Sequence, residues 1–244
     1  MTRRPVLLAV AHGSRDPAAK ECVLSLTGRV ARLANGTRVE AAFVQHEEPS
    51  LTTALAGAAT EAGGDGAAVV PLLLSSGYHL SYDIGAAARA AGAPVAGPLG
   101  PDPRLVTALA DRLDEAGVPG GVPVVLAAAG SSDRRARVDA RSQAAMLAAH
   151  RGAPVVAAFA SAARPTVDEA VAFLADLTGG PVAVAAYLLA PGLFHDQLWL
   201  SSGTWVSAPL GDHPAVADLI VERFRGLAGQ LADGREALAG VRCS

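Results

Sequence analysis

The amino-acid sequence passes through the same order of short segments twice, and this repetition constrains the fold more than any other feature. The segment VLLAVAHGSRD begins the order in the first half, and VVLAAAGSSD begins it again in the second. Four segments, residues 6–16, 39–51, 69–77 and 97–103, recur in the same order as residues 124–133, 155–167, 184–192 and 208–214. Four matches in one order indicate a duplication whose loops have gained or lost a few residues.

The repeated segments contain short apolar runs bounded by Gly, Pro or Asp, which predict strands, and the longer stretches between them predict helices. In the first half, the predicted strands are Val6–Ala11, Val39–Val44, Ala67–Leu74 and Val95–Ala96, and the predicted helices are Pro17–Leu33, Ser50–Ala62, His79–Ala91 and Pro103–Ala116. The apolar runs barely alternate with polar residues, as expected of strands buried on both faces of a parallel sheet. We therefore predict an α/β fold of two Rossmann-like parallel-sheet lobes related by internal duplication, each built from right-handed βαβ units.

The Gly/Pro-rich segment 115–121 (EAGVPGG) separates the two repeats and is the predicted linker. It gives an N-terminal lobe of residues 1–116 and a C-terminal lobe of residues 122–244. With 244 residues, 51% of them hydrophobic, the chain has enough apolar material for a sizeable core. We expect a cleft between the two lobes.

The overall charge and the cysteine content indicate which binding partners and which cellular compartment to expect. A formal net charge of −3 gives no general attraction to nucleic acid or to an anionic membrane, so we expect neither partner. No stretch approaches the roughly 20 apolar residues that a membrane span needs, and the apolar run at residues 5–11 is too short for a typical secretion signal. Cys22 and Cys243 form neither a CxxC metal motif nor a disulfide framework, which favours the reducing cytoplasm.

Polar side chains collect where three predicted strands of the first half end, which is where open parallel sheets carry their functional groups. His12 follows the first strand, residues 45–48 follow the second, and His79 follows the third. In the common 2-1-3 strand order neighbouring strands lie ~4.8 Å apart, so the imidazoles of His12 and His79 can meet over one point. Two neutral imidazoles suit Fe²⁺, Co²⁺, Ni²⁺ or Zn²⁺ better than Mg²⁺ or Ca²⁺. The residues alone leave metal binding and a structural, hydrogen-bonded role about equally open.

The other histidines lie in less informative places. His150 falls at a helix end and His213 in a turn before a helix, where we expect solvated roles. His195 lies in the second-half counterpart of the His79 region, where it either faces the same cleft or has a structural role.

The loops after the first strand and its repeat are candidate anion sites. Their glycines and hydroxyls free backbone N–H groups at helix N-termini, which bind carboxylate or phosphate. Ser14 and Arg15 lie in the first of these loops, and Arg134 and Arg135 begin the helix after the second. Nucleotide-binding patterns are missing, since neither GxxxxGK[ST] nor GxGxxG follows the first strand. Ser14 also lacks a GxSxG elbow, which leaves ester hydrolysis as the weakest alternative.

Three motifs, AHGSRD, FxxxxEPS and PLLLSSGYHxxxDI, resemble those of the CbiX-type sirohydrochlorin cobalto- and ferrochelatases. The resemblance covers nearly the whole chain. The chain resembles the long bacterial form of these chelatases, in which two chelatase-like halves are fused. It implies the class II chelatase fold and insertion of Fe²⁺ or Co²⁺ into sirohydrochlorin without ATP or another nucleotide, for siroheme or cobalamin synthesis. Ni²⁺ is a further candidate metal.

The resemblance also implies which residues form the metal site. Two family histidines fall on His12 and His79, and a family glutamate falls on Gln45, whose neutral amide oxygen is a weaker ligand than a carboxylate. Glu47 or His46 can replace that glutamate if the strand end is shifted. Ala129 stands where a second-lobe histidine would be, so we expect one complete site.

Metal insertion sets further requirements on the site. Two pyrrole protons must leave, and we expect His12 and His79 to hold the metal or substrate and to accept these protons, since a reference pKa of ~6.5 suits base chemistry at neutral pH. Histidines must be neutral to bind metal, so we expect activity to fall below about pH 6. The carboxylates of the tetrapyrrole would be bound by Arg15, Arg134, Arg135 and helix N-termini. Leu80, Leu193 and Phe194 are the predicted apolar walls.

A non-catalytic carrier of metal or tetrapyrrole that uses the same cleft is the alternative function, and Gln45 favours it. We expect a monomer or a weak homodimer. The fused halves already supply a two-lobed cleft, so the sequence does not choose between these two states.

Overall fold

Two parallel β-sheets are each built around the strand that begins a repeat. The computed structural model describes residues 5–61, 66–77 and 80–241. The first sheet contains β1 (Val6–Ala11), β2 (Val39–Phe43) and β3 (Ala67–Pro71), and the second contains β4 (Val124–Ala128), β5 (Val155–Phe159), β6 (Ala183–Tyr187) and β7 (Trp205–Val206). Their orders are β2-β1-β3 and β5-β4-β6-β7. The predicted 2-1-3 order is confirmed, and the second sheet repeats it with one added edge strand.

Helices connect the strands and cover both faces of each sheet. In the first half they are α1 (Pro17–Leu33), α2 (Leu51–Glu61), a π-helical turn (Leu80–Ile84), α3 (Gly85–Ala90) and α4 (Pro103–Glu115). In the second half they are α5 (Arg134–Arg151), α6 (Val167–Thr178), α7 (Leu193–Leu198) and α8 (Pro214–Val241). Among the described residues, no helix is long and apolar enough to cross a membrane.

The helices that follow β1 and β4 begin in the same way. Asp16 Oδ1 accepts a hydrogen bond from Ala18 N at 2.9 Å, and Asp133 Oδ1 accepts one from Arg135 N at 2.8 Å. Each aspartate thereby satisfies a backbone N–H group that the first turn of its helix leaves without a partner. The matching caps are further evidence of the duplication.

The strand predictions differ from the structure at two places in the first half. The predicted strand Ala67–Leu74 ends at Pro71, and the predicted strand Val95–Ala96 is a single bridge in which Val95 pairs with Val69. Pro94 and Pro98 flank that bridge, and proline has no backbone N–H with which to extend a ladder. The remaining first-half strands and the helices agree within one or two residues, except that Ala62 and His79, which end and begin predicted helices, lie outside the described residues.

The last helix of each repeat packs against the other lobe. Helix α4 closes the first repeat but packs against α5 and β6, whereas α8 closes the second repeat and packs against α1 and β3. The two helices also contact each other, so one continuous apolar core joins the lobes. An ion pair adds to the contact between the two helices, because Arg223 Nη2 of α8 lies 3.2 Å from Asp102 Oδ2 at the start of α4. Packing between the lobes therefore crosses the predicted boundary at residues 116–122.

Candidate active-site cleft

A cavity of about 820 Å³ lies between the lobes at the carboxyl ends of β1 and β2. The first lobe lines it with the ends of these two strands and the loops that follow them, residues 11–16, 43 and 45–47. The second lobe lines it with residues 188–196. A second chamber of about 570 Å³ lies over the ends of β3 and β4. His12 and Phe194 line both chambers, so together they form one two-part cleft.

His12 and Gln45 meet at the floor of the first chamber. The β1–β2 ladder pairs Ala11 with Phe43 and continues past both strands, since Gln45 N donates to His12 O at 3.0 Å. The continued ladder brings the side chains together, with Gln45 Nε2 2.6 Å from His12 Nε2. Gly13 makes this approach possible, because its φ is +93° and a Cβ there would lie 1.8 Å from Gln45 O.

The contact between these side chains has a consequence for metal binding. An amide NH₂ group only donates hydrogen bonds, so His12 Nε2 must accept this one with its lone pair. A metal ion needs that same lone pair and must displace the NH₂ group. Turning the amide of Gln45 by half a turn brings its oxygen, which can ligate a metal, to the same place.

The carboxylate of Glu47 is held against the loop after β1. Glu47 Oε1 accepts a hydrogen bond from Ser14 N at 3.2 Å, and Glu47 Oε2 lies 3.5 Å from Lys20 Nζ. The side chain is only 8% exposed and lines the first chamber. It is therefore Gln45, rather than Glu47, whose side chain contacts His12 in this structure.

Ser14 has a structural use in the same loop. Its Oγ accepts a hydrogen bond from Asp16 N at 3.1 Å, and Ser131 Oγ accepts the equivalent bond from Asp133 N in the second repeat. Both hydroxyls shape the turn that enters a helix, which gives the ester-hydrolysis alternative no support.

The three arginines proposed to bind substrate carboxylates occupy different surroundings. Arg15 is exposed and lines the first chamber. Arg134 and Arg135 are exposed at the start of α5 and are not among the residues that line either chamber. Arg135 Nη2 lies 2.8 Å from Asp133 Oδ2, and this hydrogen bond lowers the pKa of the Asp133 carboxyl. Their contact with substrate stays a prediction.

The second predicted metal ligand, His79, lies outside the described residues, and the side chain of Leu80 is likewise not described. Within residues 5–61, 66–77 and 80–241, no cluster of three or more His, Cys, Asp and Glu side chains could hold a metal ion. The predicted walls Leu193 and Phe194 both line the first chamber.

His195 also lines the first chamber, so of the two roles left open for it, the structure favours the one facing the cleft. Its Nε2 lies 3.1 Å from Ser207 O. His213 corrects a prediction. Its side chain is only 11% exposed, with Nε2 3.0 Å from Asp111 Oδ2, so it joins α4 to the start of α8 instead of being solvated. The sequence gives no sign of that pairing, because the two residues lie in different repeats.

Two second-lobe residues that were not predicted from the sequence bind the loop after β3. Tyr187 donates from its hydroxyl to Leu74 O at 2.7 Å, and Asp139 Oδ2 accepts a hydrogen bond from Ser76 N at 2.7 Å. Burial raises the pKa of Tyr187, which therefore stays protonated and able to donate. A tyrosine at the end of an otherwise apolar strand, VAAY, is the one signal that could have revealed this contact.

Comparison with known proteins agrees with this architecture. The CbiX family model matches residues 6–116 and 123–227. Sirohydrochlorin cobaltochelatase of Methanosarcina acetivorans is 38% identical over 84 residues, which are 34% of this chain and 64% of that protein. The chain thus covers less than two thirds of this archaeal relative. Sirohydrochlorin ferrochelatase of Bacillus subtilis is 28% identical over 242 residues, which cover 91% of each chain.

Solved structures extend the similarity to the fold. SirB from Bacillus subtilis with Fe³⁺ has a TM-score of 0.81 at 27% identity and covers 94% of this chain and 98% of its own. CbiX, the terminal enzyme for biosynthesis of siroheme in denitrifying bacteria, has a TM-score of 0.64 at 23% identity. The match covers 91% of this chain and 98% of that chain. The predicted fold of two parallel-sheet lobes is confirmed. Because the family model spans most of both repeats, the chain belongs to the CbiX family.

Proposed function

We propose that this protein is a chelatase that inserts Fe²⁺ or Co²⁺ into sirohydrochlorin without ATP. The observation that carries the proposal is the cavity of about 820 Å³ between the lobes, which has the imidazole of His12 in its wall beside the apolar side chains of Leu193 and Phe194. This volume is in the usual range for small-molecule and cofactor sites, ~300–1,000 Å³. The two relatives named as sirohydrochlorin chelatases support the choice of substrate.

The reaction replaces two pyrrole protons with one divalent ion. The ion must shed water and reach the ring nitrogens, so its protein ligands have to bind it without retaining it. His12, with the sequence-predicted His79 and the amide oxygen of Gln45, would form such a site. Neutral nitrogen and oxygen donors suit Fe²⁺ and Co²⁺, and Ni²⁺ is compatible with the same ligands.

The acidic side chains of the tetrapyrrole require cationic or N–H partners. Of the three candidate arginines, Arg15 is the one that lines the first chamber. Arg134 and Arg135 would contribute from the start of α5, where Arg135 would exchange its bond with Asp133 for one with substrate. The loop carrying Ser14 would offer backbone N–H groups at the start of α1.

A carrier that binds metal or tetrapyrrole without catalysis is the second candidate. Gln45 favours it, because an amide in place of a carboxylate adds no negative charge to the metal site. Cytoplasmic location, a monomeric or weakly dimeric state and the lack of nucleic-acid or membrane partners stay predictions from the sequence.

Metal insertion into sirohydrochlorin under anaerobic conditions separates the two functions. We expect the protein to accelerate the absorbance change caused by Co²⁺ or Fe²⁺ insertion, and the double variant His12→Ala, His79→Ala to lose the acceleration. His150→Ala, an exposed histidine at the end of α5, is the matched control and should keep full activity. Tight binding of sirohydrochlorin or metal with no acceleration would establish the carrier instead.

A further inference from the structure

His195 on α7 of the second lobe is a histidine with one ring nitrogen already engaged. Its Nε2 lies 3.1 Å from the backbone oxygen of Ser207. A carbonyl oxygen only accepts hydrogen bonds, so Nε2 must carry the proton. In the neutral imidazole, the lone pair then resides on Nδ1, and this is the nitrogen that can take up a proton or a metal.

The partner of His195 is rigidly placed. Ser207 is fully buried, its Oγ accepts a hydrogen bond from Ala186 N at 3.0 Å, and the same Oγ lies 3.0 Å from Ala208 O. A backbone carbonyl fixed in this way sets both the tautomer and the orientation of the imidazole that donates to it. His195 is therefore oriented before any ligand enters the cleft.

The start of α7 lies directly against the loop that follows His12. Gly192 precedes α7 with a φ of +138°, and a Cβ there would lie 3.7 Å from Ser14 Oγ and 3.9 Å from Asp16 Oδ2. His195 comes one helical turn after Gly192. This close approach explains why His12 and His195, which belong to different lobes, line the same chamber.

We infer that His195 is the base that accepts the pyrrole protons during metal insertion, an inference that rests on the proposed chelatase function. A flat macrocycle between the lobes presents one face to the first lobe, with His12, and the other to the second lobe, with His195. A base in the second lobe accepts protons without competing with the metal for the lone pair of His12.

The step balances without any further reactant. One pyrrole N–H bond breaks, its electron pair stays on the pyrrole nitrogen, and the proton bonds to His195 Nδ1 to give imidazolium. The imidazolium passes the proton to water and is ready for the second pyrrole proton. The two negative pyrrole nitrogens bind the divalent ion, so the net exchange is one M²⁺ for two H⁺.

The test is the variant His195→Gln, because a glutamine amide can still donate to Ser207 O but has no basic nitrogen. We expect kcat for Co²⁺ insertion to fall about 100-fold or more, the usual contribution of a general base. Co²⁺ affinity, measured by titration calorimetry, and Tm should match those of the wild type. His150→Gln is the matched control, and His195→Asn, which also lacks a basic nitrogen, serves if the glutamine variant does not fold.

A second measurement tests for the base itself. The hindered base 2,6-lutidine, whose methyl groups block metal coordination, should restore part of the kcat of His195→Gly. The inference would be overturned if the glutamine variant kept the wild-type kcat, or if its loss of kcat were matched by a loss of Co²⁺ affinity. Failure of the added base to restore turnover would also overturn it. Failure of the wild-type protein to accelerate insertion would instead refute the chelatase function, so the two failures are distinct.

Discussion

At the scale of single residues, the contact between His12 and Gln45 bears directly on the proposed metal site. Their side chains already bond to each other, Nε2 to Nε2 at 2.6 Å. Incoming metal must therefore break a hydrogen bond of about 0.5–1.5 kcal/mol net before His12 can ligate it. A neutral amide also gives the bound ion no charge compensation. Both effects would weaken binding of an ion at the proposed site.

We expect Gln45→Glu to bind Co²⁺ more tightly, by about tenfold, because a carboxylate adds a charged oxygen next to His12 and removes the competing NH₂ group. Titration calorimetry with Co²⁺ measures the change. Gln45→Leu, which removes the competing NH₂ group without adding an oxygen ligand, is the control and should gain less Co²⁺ affinity than Gln45→Glu. Equal affinity in the glutamate variant would mean that position 45 does not contact the metal.

The residues of the candidate site that were easiest to predict lie where a strand ends. His12 and Gln45 follow apolar runs whose carboxyl ends meet at one edge of a parallel sheet, and the structure brings their side chains into contact. The partner of His195 was not predictable, because Ser207 O comes from a loop whose path depends on tertiary packing. The pairing of His213 with Asp111 was hidden for a related reason, since it depends on how the two repeats pack together.

At the scale of elements, one tight turn after the first strand is used in both repeats. Gly13 has a φ of +93° and Gly130 a φ of +98°, and a Cβ at either would collide with a backbone oxygen of the loop after the neighbouring strand, Gln45 O or Ser161 O. The turn lets that loop continue the ladder beyond the strand ends. In the first repeat this is what brings Gln45 to His12.

Gly13→Ala should therefore cost more stability than positive φ alone explains. A left-handed conformation costs an alanine about 1–2 kcal/mol, and relieving the 1.8 Å contact with Gln45 O adds a further ~1–3 kcal/mol of overpacking. Gly36→Ala isolates the first cost, because Gly36 has a φ of +80° but nothing within 4 Å of its added Cβ. Urea unfolding of both variants gives the two free energies. Equal losses would show that the turn yields to the extra methyl group without penalty.

The positions of most helices and strands follow from the local sequence, because particular residues define where each one begins or ends. Helix α1 spans Pro17–Leu33 as predicted, because Asp16 and Pro17 give it a defined start. Strand β3 ends earlier than its apolar run, at Pro71, because the residues beyond it line the cleft instead of extending the sheet. An apolar run predicts burial, but burial in a strand and burial beside a cleft look alike in the sequence.

At the scale of the whole molecule, polar contacts across the lobes add to the shared core. Ser25 on α1 donates from Oγ to Asp212 Oδ2 at 2.6 Å, and Arg29 Nη2 lies 3.7 Å from the same oxygen. The hydrogen bond from Ser25, aided by the charge of Arg29, lowers the pKa of the Asp212 carboxyl. Asp212 belongs to the loop before α8, so this contact fastens the second repeat to the first.

This contact predicts a pH-dependent stability. A carboxyl whose pKa is lowered in the folded state contributes stability above its ordinary pKa of ~3.9, and the contribution disappears as the pH falls through the lower folded value. Ser25→Ala should cost about 0.5–1 kcal/mol at pH 7, a modest loss because Asp212 is 40% exposed to screening water. The difference from wild type should shrink below pH 4.

Urea unfolding of Ser25→Ala at pH 7 and pH 3 measures both values. Ser142→Ala, at an exposed position on α5, is the control and should match the wild type at both pH values. A deficit for Ser25→Ala that persists unchanged at pH 3 would show that the ionised Asp212 is not the partner that matters.

The exchange of helices α4 and α8 has a consequence for breaks in the chain. A cut in the connection between residues 116 and 123 separates the two repeats covalently, yet each fragment keeps a helix whose packing partners belong to the other fragment. The two fragments of the cleaved protein should stay associated, because their dissociation would expose the apolar core that they share. One repeat alone therefore leaves its last helix without the lobe against which it packs. A chain with a single repeat would need to dimerise and exchange its last helix with a second copy.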